Sequence, residues 1–214
     1  MLKAVIFDWD NTLIHTWAYI HKAVNITFAK YGHKEQGLDY LKMHGNGSLK
    51  DAFPKIFGDK WMEAREVYYN TYRELAQNGG IIPYDNAEKI LQKLQSNSIP
   101  VLIISNKYGP ELRKEVKQLK WEKYFANVVG STDALEDKPS SMPVLLALSV
   151  TELEPTKDIW FVGDTDVDMN CAINSGCTPI FFGEDGYLPS YLKEQKLQKA
   201  KDHYALEQLI NNVL

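Results

Sequence analysis

Cysteine is scarce in this chain: two residues in 214, Cys171 and Cys177. That is too few for a disulfide framework or a Cys-rich metal site, and both read as small buried fillers in a reducing compartment. Long apolar runs are missing too. No stretch approaches the roughly 20 residues of a membrane span. The run at 2–7 is too short for a secretory segment and continues into aspartates, so it is expected to belong to the fold. There is also no surplus of positive charge: 24 Lys and Arg stand against 28 Asp and Glu, a formal net charge of -4 with a pI near 5.8. Such a balance builds no basic field for a polyanion, so nucleic acid and membrane surfaces are not expected partners. The expectation is a soluble, cytoplasmic protein. With 44% hydrophobic residues, it can bury one full core and a smaller second lobe.

Five short apolar runs, at 2–7, 101–104, 127–129, 159–162 and 178–182, read as buried strands. Helical patterns separate the later ones: 86–96 with Ile90, Leu91 and Leu94 on one face, 110–119 opening on Pro110, then 143–150 and 166–174. Alternating strands and helices predict an α/β fold, a Rossmann-like parallel sheet covered by helices on both faces, because each parallel crossover needs a helix-length connection. Residues 16–80 break that rhythm. Trp17, Ile20, Val24 and Phe28 repeat at helical spacing, as do Trp61, Ala64, Tyr68, Tyr72 and Leu75. The chain therefore divides into a catalytic core, 1–15 with 81–214, and an inserted all-helical cap at 16–80. Inserts at the mouth of an α/β sheet commonly form lids.

Three of the strand-like runs end in polar clusters: Asp8-Trp9-Asp10-Asn11-Thr12, Ser105-Asn106-Lys107, and Gly163-Asp164-Thr165-Asp166-Val167-Asp168. Ligands of open parallel sheets bind at the carboxyl ends of strands, so these clusters should meet in one crevice. An isolated Asp-x-Asp-x-Thr is as compatible with a turn or a helix cap as with chemistry. The second acidic cluster changes the weighting, since carboxylates gathered in a crevice repel unless a cation joins them. Oxygen ligands without a Cys or His cluster select a hard ion, and Mg²⁺ suits a site that handles phosphate. Asp8 and Asp10 stand two apart and leave a persisting strand on the same face, so one can attack while the other handles a leaving group's proton. Both could equally serve as metal ligands only. Lys138, in Glu136-Asp137-Lys138-Pro139, can balance phosphate and aspartate.

Asp8-x-Asp10-x-Thr12, Ser105-Asn106, Lys138 and Gly163-Asp164-x-x-x-Asp168, in this order, resemble the haloacid dehalogenase-like hydrolase superfamily, in particular its phosphoglycolate phosphatase-like branch with a helical cap. The resemblance implies a Mg²⁺-dependent phosphatase acting on a small phosphorylated metabolite through an aspartyl phosphate. It implies that Asp8 attacks phosphorus, Asp10 acts as acid and then base, and Thr12 supports the loop. Ser105, Asn106 and Lys138 would hold the phosphoryl group, and Asp8, Asp10 (by its carbonyl), Asp164 and Asp168 the metal. Two positions depart from the pattern: Asn11 where many relatives carry glycine, and His15, at the junction of core and cap, where many carry an acid.

Within the cap, the loop from Met43 to Lys50 resembles the one with which relatives touch the leaving group, so His44, Lys50 and His15 are candidate substrate contacts. A turn followed by a helix cap at Ser48 explains the same residues. The aromatics between Trp61 and Tyr72 are read as cap packing. Two other readings share the motifs: a phosphotransferase or sugar-phosphate mutase using the same intermediate, and a signalling domain in which Asp8 is a switch. The natural substrate and the oligomeric state are not readable from these residues.

Overall fold

Each apolar run becomes a strand, and three further strands join them. In chain order the strands are β1 (Ala4–Phe7), β2 (Ile14–His15), β3 (Ile82–Pro83), β4 (Val101–Tyr108), β5 (Asn127–Ser131), β6 (Ile159–Gly163), β7 (Thr178–Phe182) and β8 (Gln198–Ala200). The helices are α1 (Trp17–Lys30), α2 (Leu38–His44), α3 (Leu49–Phe57), α4 (Trp61–Gly79), α5 (Ala87–Ser96), α6 (Gly109–Gln118), α7 (Met142–Leu148), α8 (Asp166–Ser175), α9 (Ser190–Glu194) and α10 (His203–Asn211). The structure is a computed structural model that describes residues 1–45, 47–184, 188–195 and 197–214.

Six strands form one parallel sheet in the order β5-β4-β1-β6-β7-β8. β1 is fully buried and central, which is why it reads as a continuous apolar run rather than an alternation. Its side chains still alternate between faces. Val5 and Phe7 join Val101, Ile103 and Val162 under Ile90, Leu112 and Leu206, while Ala4 and Ile6 join Leu102, Ile104 and Phe161 under Val144 and Ala172. Helices therefore cover both faces: α5, α6 and α10 on one, α7 and α8 on the other. The chain runs from β1 outward through β4 and β5, then returns to β1's other side for β6, β7 and β8. The reversal leaves a crevice beyond the carboxyl ends of β1 and β6, the place where such sheets bind ligands.

Between β2 and β3 lies an all-helical insert, α1 to α4, in which α1 and α3 pack on α4. Its core is aromatic. Phe57 meets Phe28 and Phe53 edge-on at ring separations of 5.7 and 4.8 Å, and Phe53 meets Tyr68 at 6.0 Å. β2 and β3 pair antiparallel, His15 opposite Ile82, and the Tyr84 N–H donates to the Leu13 carbonyl at 3.0 Å. The chain thus enters and leaves the insert side by side. No helix among the described residues is long and apolar enough to cross a membrane.

Candidate active site

β1 ends at Phe7, and Asp8 follows with its N–H donated to the Val162 carbonyl of β6 at 2.9 Å. The chain then turns sharply at Asn11, whose φ is 61°. A short polar residue tolerates that left-handed conformation. Asn11 does more than turn. Its Oδ1 accepts from the Thr16 N–H (3.0 Å), the Thr16 hydroxyl (3.2 Å) and the Trp17 N–H (2.9 Å), so it ties down the first turn of α1 from five residues upstream. Thr16, at the N-cap position, makes no side-chain cap bond itself.

The acidic cluster after β6 is placed by a capping box: Thr165 opens α8 and Asp168, three residues on, reaches back to it. Asp168 Oδ2 accepts from the Thr165 N–H at 3.0 Å and from its hydroxyl at 2.7 Å. Gly163 makes this possible, since a Cβ there would lie 2.3 Å from the Asp168 Cβ. Lys138 then bridges the two ends of the site, its ammonium 2.6 Å from both Asp8 Oδ1 and Asp168 Oδ1. Asp8, Lys138 and Asp168 are all buried. Burial pushes the Asp8 carboxyl up to about 7 against the pull of Lys138, with Asp168 and Asp10 adding to the rise. Burial, Asp8 and Asp168 likewise hold the Asp164 carboxyl well above its ordinary range.

Asp8, Asp164 and Asp168 can each offer an oxygen within 4.8 Å of the others. Three carboxylates this close, two of them held above their normal pKa, fit a hard divalent cation, which favours the ionised forms. Asp168 already spends one oxygen on Lys138 and the other on Thr165, so Asp8 and Asp164 are the carboxylates better placed for direct ligation. The Thr12 hydroxyl, fully buried, donates to Asp164 Oδ1 at 3.4 Å.

A second ammonium was not singled out by the sequence. Lys107 Nζ donates to Asp10 Oδ1 at 2.7 Å, to Glu115 Oε2 at 2.6 Å and to the Tyr72 hydroxyl of α4 at 2.9 Å. The Trp9 indole N–H donates to the same Glu115 oxygen at 2.7 Å. Burial alone would strip a proton from Lys107, but Asp10 and Glu115 outweigh it and hold the group well above its ordinary pKa. A signal was present in the sequence. Glu115 interrupts the buried stripe of α6, between Leu112 and Val116, and a carboxylate in an apolar stripe needs a partner.

Ser105 is buried at the point where the β4–β5 register breaks, a local irregularity that re-aims side chains. Its oxygen accepts the Lys107 N–H at 3.2 Å, which leaves the hydroxyl proton to donate. Asn106, which lines the cavity, also supports Lys138. Its carboxamide brackets the Lys138 main chain, accepting the Lys138 N–H at 3.0 Å and donating to the Lys138 carbonyl at 3.1 Å. It positions Lys138.

Asp8, Asp10, Ser105, Asn106, Lys107, Lys138, Asp164 and Asp168 line a single cavity of about 140 Å³ beneath the insert. The three cations and imidazoles expected from the insert and its junction are not among its lining residues. His44 faces outward and packs on Tyr40 at a ring separation of 4.6 Å, Lys50 reaches the Leu135 carbonyl at 3.3 Å, and His15 lies on Tyr84 at 3.5 Å. For His44 and Lys50 the helices give the cavity other residues, Leu41 from α2 and Leu49 from α3. The loop from Met43 to Lys50 lines it through Gly45, Gly47 and Leu49, and Asn46 of that loop lies outside the described residues. The insert tyrosines combine packing with access: Tyr68, Tyr69 and Tyr72 are buried in the aromatic core and also line the cavity.

A doubly covered parallel sheet with carboxylates and a lysine at its switch point defines an α/β enzyme built for charged, oxygen-rich ligands. The profile of the haloacid dehalogenase-like hydrolases matches residues 5–182, and the chain belongs to that family. It is 29% identical over 178 residues to the phosphoglycolate phosphatase of Aquifex aeolicus (strain VF5), covering 82% of each chain. A haloacid dehalogenase-superfamily hydrolase structure from Ehrlichia chaffeensis is 30% identical with a TM-score of 0.67, over 99% of this chain and 98% of that one. The predicted phosphoglycolate phosphatase of Haemophilus somnus 129pt shares the fold, with a TM-score of 0.81 at 20% identity over 98% of both chains.

Proposed function

We propose that the protein is a Mg²⁺-dependent phosphatase that hydrolyses a small phosphate monoester through a phosphorylated Asp8. The observation that carries this reading is the meeting of Asp8, Asp10, Ser105, Lys138 and Asp164, from four separate segments, on one cavity. The Asp8 carboxylate attacks phosphorus, and the bond to the leaving oxygen breaks as Asp10 gives that oxygen a proton. Asp10 then takes a proton from water, whose oxygen attacks the same phosphorus and frees Asp8 and orthophosphate. The Ser105 hydroxyl and Lys138 hold phosphoryl oxygens, and Lys138 fixes the Asp8 carboxylate through one of its own oxygens. Asp8, Asp164 and the Asp10 carbonyl would hold Mg²⁺, which would supply positive charge against the charge on the transferring group. Asp168 acts mainly by orienting Lys138. Residues 16–80 would serve as the cap over residues 1–15 and 81–214.

The test is turnover of p-nitrophenyl phosphate in Mg²⁺. Asp8→Asn should lower kcat by about 10³-fold or more, and EDTA should silence the native enzyme. Full activity in the variant, with its fold intact by circular dichroism, would refute the covalent mechanism.

A further inference from the structure

We propose that the alcohol released by this enzyme is uncharged and largely apolar, so that its substrates are monophosphates of neutral alkyl or aryl alcohols rather than phosphoglycolate or bisphosphates. This rests on the phosphatase reading and concerns the other half of the same cavity. Opposite the carboxylates, the insert presents Trp17, Ile20, Leu41, Leu49, Tyr68 and Tyr69. Among the described residues the cavity wall holds two ammonium groups, Lys107 and Lys138, and neither arginine nor histidine. Lys138 is shared between Asp8 and Asp168 beside the phosphoryl site. Lys107 is saturated, because an ammonium has three protons and these go to Asp10, Glu115 and Tyr72.

The remaining charge in the wall points the other way. Asp8, Asp10, Glu111, Asp164 and Asp168 set five carboxylates against those two lysines. A resident divalent cation would bring these charges close to balance without creating a surplus of positive charge for an anionic leaving group. Glu111 is not an idle acceptor for a cationic substrate either, since Arg73 grips it from behind at 2.9 and 2.8 Å. The first turn of α3, whose N–H groups could otherwise face an anion, carries its own carboxylate in Asp51, to which the Ser48 hydroxyl donates at 3.1 Å. Lys42 belongs to the neighbouring cavity and lies over the Trp17 ring at 6.0 Å. A carboxylate or second phosphate on the leaving group would lose its water here without gaining a cation, a burial that proteins strongly disfavour. An apolar body meets aromatic and aliphatic surface instead.

The experiment compares kcat/KM of the full chain in Mg²⁺ for benzyl phosphate and 2-phosphoglycolate, with p-nitrophenyl phosphate as a general phosphatase probe. Benzyl phosphate should exceed 2-phosphoglycolate by at least about tenfold, the difference lying mainly in KM. Ile20→Arg, which adds a cation to the apolar wall, should move the ratio toward 2-phosphoglycolate by about tenfold. Equal or better use of 2-phosphoglycolate by the native protein would overturn the proposal while leaving the phosphatase reading standing. No phosphate release from any of the three compounds would fell both.

Discussion

The two sides of the cavity are built by opposite rules. On the core side, polar groups are paired one by one: Lys138 with Asp8 and Asp168, Asn106 with the Lys138 main chain, Thr165 with Asp168. On the insert side, rings pack on rings, and among the described residues the polar links to the core include the Tyr72 hydroxyl on Lys107, Arg73 on Glu111 and Lys50 on the Leu135 carbonyl. The difference teaches that, on the proposed function, the strand ends would fix the chemistry and the insert would govern what the leaving group can be. Substitutions in the core should therefore change rate on every substrate, and those in the insert should change the ranking of substrates.

After Asp8→Asn, the largest effect should come from Lys138→Met. Removing the bridge leaves Asp8 and Asp168 facing each other in a buried site, a loss worth about 3–5 kcal/mol in stability, and takes a positive charge from the phosphoryl group. Turnover of p-nitrophenyl phosphate should fall by about 10²–10³-fold. Thermal melting alongside the assay separates the two contributions. Equal activity in folded protein would erase the contrast between the sides.

Next comes Lys107→Met, which touches both sides. Lys107 is a positioning residue, holding Asp10 through a bond of 2.7 Å while Glu115 and Trp9 hold it in turn. If Asp10 gives the proton, the loss should depend on the leaving group. We expect about 10²-fold on benzyl phosphate and much less on p-nitrophenyl phosphate, whose alcohol leaves without help. Lys107→Arg should recover part of it. A uniform loss across both substrates would reduce Lys107 to a structural role. Tyr72→Phe removes one polar contact between insert and core and should cost about 0.5–1.5 kcal/mol, a change of about tenfold or less in kcat/KM.

Much of the core side was legible in the sequence because each of its acidic clusters directly follows a buried apolar run, which puts Asp8 and Asp164 at strand ends; the pairing of β1 with β6 then makes those ends adjacent. The Lys107–Glu115 pair joins β4 to α6 and then crosses to Asp10 and Tyr72, so local spacing cannot announce it. Asn11 stood out in the sequence as a departure from glycine, but its three acceptor contacts depend on where α1 begins. The insert was readable as helices yet not as a surface. His44 and Lys50 flank the loop that meets the cavity, and which of a loop's residues face inward is decided by the packing of α2 and α3. β8 was missed because its three residues, Gln198, Lys199 and Ala200, form no apolar run, as suits a polar edge strand. The signal for α10 was available: Asp202 accepts from the Ala205 N–H at 2.8 Å as N-cap, with Leu206 and Ile210 buried below it.

The smallest expected effect on turnover lies at the seam where the insert joins the core. His203, at the start of α10, is 1% exposed and packs against Phe182 and Tyr84 at ring separations of 4.6 and 5.5 Å. Its Nε2 is buried with no hydrogen-bond partner. Burial therefore lowers its pKa from the ordinary 6.5 to about 4. In the unfolded chain the imidazole takes up a proton near pH 6.5, while the folded protein resists until about pH 4. Between those values the unfolded state binds more protons, so stability is full above pH 6.5 and falls as the pH drops toward 4. The loss over this window has a ceiling of about 3 kcal/mol. His203→Phe keeps the ring packing and removes the titration, so its urea midpoint should decline less than that of the native chain between pH 6.5 and pH 4. Activity at neutral pH should be unchanged. Parallel declines in the two proteins would show that the acid sensitivity does not come from His203.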